Sequence, residues 1–89
     1  GPVALWGAGA KGVTLANLVD PNATLIDCVV DMNPNKQQRY LPGSGHPIVG
    51  FHALPERGVR SALVMNPNYL SEITELVEAS EIQLDLATT

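Results

Sequence analysis

The stretch Trp6-Gly7-Ala8-Gly9-Ala10-Lys11-Gly12 constrains this chain more than any other. It follows a short apolar run, Val3-Ala4-Leu5-Trp6, and leads into Val13, Leu15, Ala16, Leu18 and Val19 at helical spacing. Glycines at 7, 9 and 12 therefore form a G-x-G-x-x-G loop between a buried strand and a helix. That is where a doubly wound α/β fold holds a phosphate. Glycine there allows a tight turn, a close approach of backbone N–H groups to a ligand, and close packing of the helix on the strand. The helix N-terminus adds free N–H donors and a partial positive charge. Alone, the pattern is a weak signal, and its neighbours decide what it means.

The 89 residues amount to one domain, residues 1–89, with a single modest core. Aromatic residues make up only 4%, so that core must be built from Val, Leu, Ile and Ala. No apolar run approaches the ~20 residues of a membrane span and no signal-peptide pattern opens the chain. A cytoplasmic protein without a membrane partner is expected. The lone Cys28 lies in an apolar run, which rules out a disulfide within the chain and reads as a core residue. A net charge of −4 argues against nucleic acid as a partner. Glu72, Glu75, Glu78, Glu81 and Asp85 crowd the C-terminal end and read as a solvated helix face. The chain opens at Gly1-Pro2 with a strand almost at once, so a domain cut from a longer protein is expected.

After the first helix, Asp20-Pro21-Asn22 marks a stop. Leu25 to Asp31 is a second strand, rich in β-branched residues and ending on an acid. Residues 32–46 predict a long loop, with Pro34, Pro42, Gly43 and Gly45. Pro47 to Gly50 reads as a short third strand and Phe51 to Gly58 as one or two helical turns. Ser61 to Met65 is a fourth strand. Asn66-Pro67 then caps a helix with an apolar stripe at Leu70, Ile73, Leu76 and Val77. Ile82 to Leu86 predicts a fifth strand or a tail. The pattern predicts a small Rossmann-like three-layer α/β/α domain with a mostly parallel sheet of about 4–5 strands.

In such a sheet ligands bind beyond the carboxyl ends of the strands. The loops expected on that edge carry Gly7, Gly9, Lys11 and Gly12, then Asp31, Asn33, Lys36, Arg39 and Tyr40, then Asn66 and Tyr69. Three of the five basic residues thus fall on one edge of an acidic domain, which suits a phosphate or pyrophosphate. Asp31 lies 19 positions after Gly12, near the spacing at which Rossmann domains place a carboxylate on a ribose. It could equally cap the turn with Asn33-Pro34. Tyr40 and Tyr69 could stack on a base or sugar, or cover loop and helix ends. His46 and His52 read as loop or packing residues. No Ser/His/Asp set, Cys/His set or metal cluster is visible, so neither catalytic nor metal-ligating residues are assigned.

The Gly7–Gly12 block, Asp31-Met32-Asn33-Pro34-Asn35-Lys36-Gln37, Arg39-Tyr40-Leu41-Pro42-Gly43, Pro47-Ile48 and Asn66-Pro67-Asn68-Tyr69-Leu70 together resemble the C-terminal domain of bacterial sugar C-methyltransferases. These are S-adenosylmethionine-dependent NDP-hexose methyltransferases. The likeness runs from about residue 3 to 86. Gln38 departs from it, standing where the pattern has glycine. The resemblance implies a domain that helps form the cleft for a nucleotide sugar. It also implies zinc, S-adenosylmethionine and the catalytic residues in parts of the parent protein upstream of this domain. No cofactor is then expected on the domain itself, and its partners would be the nucleotide sugar and the upstream methyltransferase domain. An S-adenosylmethionine fold needs more strands than this chain can supply. It also usually carries an acid just before the glycines, where Trp6 stands.

Other readings stay open at this level. One is an NAD(P)-binding Rossmann module of an oxidoreductase. Another is the sugar-nucleotide-binding domain of certain sugar acyltransferases, which has a similar glycine loop, a strand ending in an acid and a Gly-x-Pro-Ile/Val turn. A third is a structural domain with no ligand.

Overall fold

The computed structural model describes residues 2–88, leaving Gly1 and Thr89 outside it. Ten elements follow in order: β1 (Val3–Trp6), α1 (Ala10–Val19), β2 (Ile26–Val30), β3 (Arg39–Tyr40), β4 (Pro47–Val49), a 3-10 turn (Phe51–Ala53), β5 (Ser61–Val64), a second 3-10 turn (Pro67–Tyr69), α2 (Leu70–Ala79) and β6 (Asp85–Thr88). The strands form one sheet in the order β3-β4-β2-β1-β5-β6. All neighbours pair in parallel except β3, which runs antiparallel to β4. The small Rossmann-like α/β architecture expected from the alternation of elements is present. No helix among the described residues is long and apolar enough to cross a membrane.

Alternate residues of each strand face opposite sides, and each side has its own helix. Leu5, Val29 and Ile48 pack with Ala16 and Val13 of α1 and with Leu41. Ala4, Trp6, Cys28, Val30, Ala62 and Val64 pack on the other side with Phe51, Leu54, Ile73 and Val77. These strands are covered on both faces, which is why they read as continuous apolar runs. The chain moves from β1 to β2 through α1 on one face, and from β5 to β6 through α2 on the other. A change of face with a change of direction is what right-handed crossovers require.

The loop predicted for residues 32–46 is more ordered than its prolines and glycines suggest. Asp31 Oδ1 accepts from the Asn33 amide at 2.8 Å, and Asn33 Oδ1 accepts from the Asn35 amide at 3.0 Å. These two successive side-chain turns bring the chain round to β3. A sixth strand results, only two residues long and thus below what periodicity can detect. β6 also begins at Asp85, three residues beyond the predicted Ile82. Glu81 adopts φ +58° and the Ile82 amide bonds Val77 O, so residues 80–84 finish the helix before the strand starts.

Gln38 has φ +63°, the left-handed region that glycine occupies without penalty. That explains why glycine suits this position just ahead of β3.

The far end of α1 is secured by charge. Asp20 is buried and accepts the amides of Thr24, Leu25 and Ile26 at 2.7–2.9 Å. Its Oδ2 also meets His46 Nε2 at 2.8 Å, and His46 Nδ1 meets Ser44 Oγ at 2.7 Å. The fold therefore assembles a Ser/His/Asp chain that spacing did not reveal. Because Asp20 is ionised it can only accept, so Nε2 donates to it. Ser44 is only 8% exposed and His46 fully buried, so this chain ties the 41–46 loop to α1 and β2 and offers no nucleophile to solvent. Burial alone would raise the Asp20 pKa. The amides of Ile26, Thr24 and Leu25 and the His46 ring outweigh it and hold the carboxyl well below the usual carboxylate range.

Two outcomes follow for stability. Gln38→Gly should raise it by up to ~1 kcal/mol in urea unfolding, relief of the left-handed strain being partly offset by a freer unfolded chain. The Asp20 carboxyl has a depressed folded pKa, so its contribution is complete above the unfolded value of about 3.9 and disappears as the pH falls below it. The urea midpoint should therefore fall between about pH 5 and pH 2. Asp20→Asn should start from a lower midpoint at neutral pH and show a shallower fall.

Candidate functional site

Three loops leave the carboxyl ends of β1, β2 and β5, and each is tied by a hydrogen bond just past its strand. The Gly7 amide donates to Val30 O at 2.7 Å, the Asp31 amide to Val49 O at 3.1 Å and the Met65 amide to Trp6 O at 3.1 Å. These bonds extend the parallel ladder and splay the loops around a cleft of about 620 Å³. That volume is within the ~300–1,000 Å³ usual for small-molecule sites. The cleft sits between β1 and β5, where the chain turns from building one side of the sheet to the other. This is the switch point at which open α/β sheets take ligands.

The floor is apolar. Trp6 ends β1 and is stacked on Phe51 with ring centroids 5.8 Å apart, and Val30, Val64 and Met65 lie beside it. One wall is the glycine loop and the first turn of α1. The opposite wall is the end of the second 3-10 turn and α2, through Tyr69, Glu72, Ile73 and Leu76. That spacing of i, i+3, i+4 and i+7 is a single helix face.

The glycines divide by role. Gly7 takes φ +129° to make the turn. A Cβ on Gly12 would lie 2.0 Å from Gly7 O, so α1 reaches the loop only because position 12 has no side chain. Gly9 is different. Its φ of −80° is open to any residue and a Cβ there would meet nothing within 4 Å. The fold does not need glycine at 9, yet that bare backbone faces the cleft. Gly9 caps α1 without a side-chain bond, and the amides of Ala10, Lys11 and Gly12 precede the first intrahelical bond, Val13 N to Gly9 O at 3.0 Å. Those donors suit an anion.

Of the residues singled out by sequence, Gly7, Gly9, Lys11, Gly12, Asp31, Asn66 and Tyr69 line this one cleft. Asn33, Lys36, Arg39 and Tyr40 do not. Asn33 is engaged in the turn after Asp31. Lys36 Nζ lies 3.6 Å from Asp31 Oδ2, at the edge of the site. Arg39 and Tyr40 lie on the β3 edge strand, where they line a separate groove of about 330 Å³, and Tyr40 is 71% exposed. The two readings of Asp31 are not exclusive. Its Oδ1 caps the turn, while Oδ2 accepts from the Ala8 amide at 3.3 Å, and the residue as a whole borders the cleft. Asn66 Oδ1 accepts from the Asn68 amide at 3.0 Å and so starts the 3-10 turn that leads into α2. Sequence reasoning missed Glu72, Ile73 and Leu76 as cleft residues. Helical periodicity placed Ile73 and Leu76 in the core stripe but could not show that the same face, with Glu72 on it, also borders the cleft.

Cys28 is fully buried, and burial pushes its thiol up to about 12, so it is not a nucleophile. No group of three or more His, Cys, Asp or Glu side chains able to hold a metal occurs among the described residues.

A glycine loop on the switch point of a small three-layer sheet defines a Rossmann-like α/β domain. The profile of the C-methyltransferase C-terminal domain matches residues 1–83, and the chain belongs to that family. No curated protein sequence matches it significantly.

The division among the glycines is directly measurable. Gly12→Ala should cost at least ~1–3 kcal/mol in chemical denaturation, since backbone must move to admit the methyl group. Gly9→Ala should cost less than ~1 kcal/mol, the poorer N-cap being the only penalty where nothing crowds the methyl group.

Proposed function

We propose that this domain helps to bind the nucleotide-sugar substrate of an NDP-hexose C-methyltransferase, and that methyl transfer from S-adenosylmethionine belongs to residues outside this chain. The observation that carries the reading is Gly9, a glycine the fold does not require, set at an uncapped helix start beside Lys11. A diphosphate there would accept from the Gly9–Gly12 backbone amides and gain the Lys11 ammonium. Asp31, at the end of β2 and on the cleft lining, would accept from a ribose hydroxyl. The apolar floor at Trp6 would exclude water beneath the ligand. The domain's part is to bind and orient, and no residue in the cleft is assigned a covalent step. A cytoplasmic setting, where nucleotide sugars are made and used, fits the reading.

The Asp31 position also favours a second reading, a nicotinamide dinucleotide held in the same way. The sugar-acyltransferase domain and the ligand-free structural domain have no separate observation in their favour.

Amide NMR titration of the chain with TDP-glucose, NAD and S-adenosylmethionine separates the readings. TDP-glucose should shift Gly9, Lys11 and Gly12 with a Kd on the order of 0.1–1 mM. Gly9→Ala should weaken it about tenfold while lowering the urea midpoint far less than Gly12→Ala does. Shifts confined to NAD would support the second reading and sink the first. No shift at these residues with any ligand would sink both.

A further inference from the structure

Five acids near the C-terminus read together as a solvated face, but the structure separates one from the rest. Glu72 shares a helix face with Tyr69, Ile73 and Leu76, and that face is a wall of the cleft. None of Glu75, Glu78, Glu81 or Asp85 lines it. Glu72 forms no ion pair with a described residue, and in particular none with Lys11 across the cleft. The two walls thus carry opposite charges that do not neutralise each other. The glycine-loop wall offers N–H donors and an ammonium. The α2 wall offers a carboxylate, which when ionised can only accept hydrogen bonds.

A ligand that was anionic throughout would be repelled by the α2 wall. One anionic at one end and rich in hydroxyl donors at the other would satisfy both. We propose that Glu72 is a specificity residue of this cleft, accepting hydrogen bonds from hydroxyl groups of the hexose while the diphosphate lies against Gly9–Gly12 and Lys11. The inference rests on the nucleotide-sugar reading above and adds the direction in which the ligand lies. The nucleoside points to Asp31 at the end of β2, and the sugar points to α2.

Glu72 also stands in the first turn of α2, where a negative charge favours the helix dipole. A purely structural role would alter stability but would not change how the cleft distinguishes ligands. The test is therefore a ratio. Binding of TDP and of TDP-glucose is measured by calorimetry for the unaltered chain and for Glu72→Gln and Glu72→Ala, with urea midpoints recorded alongside. Both substitutions are at an exposed helix position and should leave the chain folded. TDP should bind the variants as well as or better than before, because a repulsive charge has gone. TDP-glucose should lose about tenfold relative to TDP, the scale of a hydrogen bond to a charged group. Equal changes for both ligands, whether or not stability falls, would overturn the role given to Glu72. If the unaltered chain binds neither ligand, the nucleotide-sugar reading itself fails, an outcome distinct from the first.

Discussion

The contact between Gly12 and the carbonyl oxygen of Gly7 sets the position of everything at the carboxyl end of the sheet. With only a hydrogen in the way, the first turn of α1 can lie directly over the turn that leaves β1. That approach fixes the helix start beside the ends of β2 and β5, so its free N–H groups open on the cleft. A methyl group at position 12 would push α1 away and disturb the turn together with the helix. The Gly7 amide bond to Val30 O then joins this corner to β2, and the Ala8 amide bond to Asp31 Oδ2 joins it to the next loop. Close approach at one atom thus propagates into a three-loop frame.

Much of that frame was legible because short, fully buried strands and glycine spacing are local signals. Val3–Trp6, the loop that follows and the apolar stripe of α2 can be read from neighbouring residues alone. β3 could not be read, since two residues carry no periodicity and its pairing depends on the turns around Asn33 and Asn35. The Asp20–His46–Ser44 chain was hidden for another reason. Its members come from a helix end and a distant loop, 26 positions apart between Asp20 and His46, and only the packed sheet brings them together.

The basic residues show how an edge in sequence differs from an edge in space. Lys11, Lys36 and Arg39 all follow the carboxyl ends of strands, but only Lys11 lines the cleft. The double turn after Asp31 reverses the chain and carries Arg39 and Tyr40 out to the margin of the sheet, beyond β4. Lys36 stays near enough to lie against Asp31, where its charge is already answered. The cleft is therefore less basic than the sequence suggests. For an anion held there as proposed, backbone amides and not side-chain cations would have to supply most of the attraction.

Asp31 and Glu72 are two carboxylates in a cleft where Lys11 is the one lining cation, without an ion-pair partner among the described residues. Were the site built for multiple negative charges, both acids would oppose binding. Asp31 is compensated by Lys36 and the amides of Ala8 and Asn33, so it presents a partly neutralised acceptor and not a bare charge. Glu72 has no such partner among the described residues, and its exposure leaves its charge open to screening by solvent ions. The ligand proposed above, a nucleoside and a hexose joined through a diphosphate, would carry its charge in one place, at the start of α1, with hydroxyl donors on either side of it.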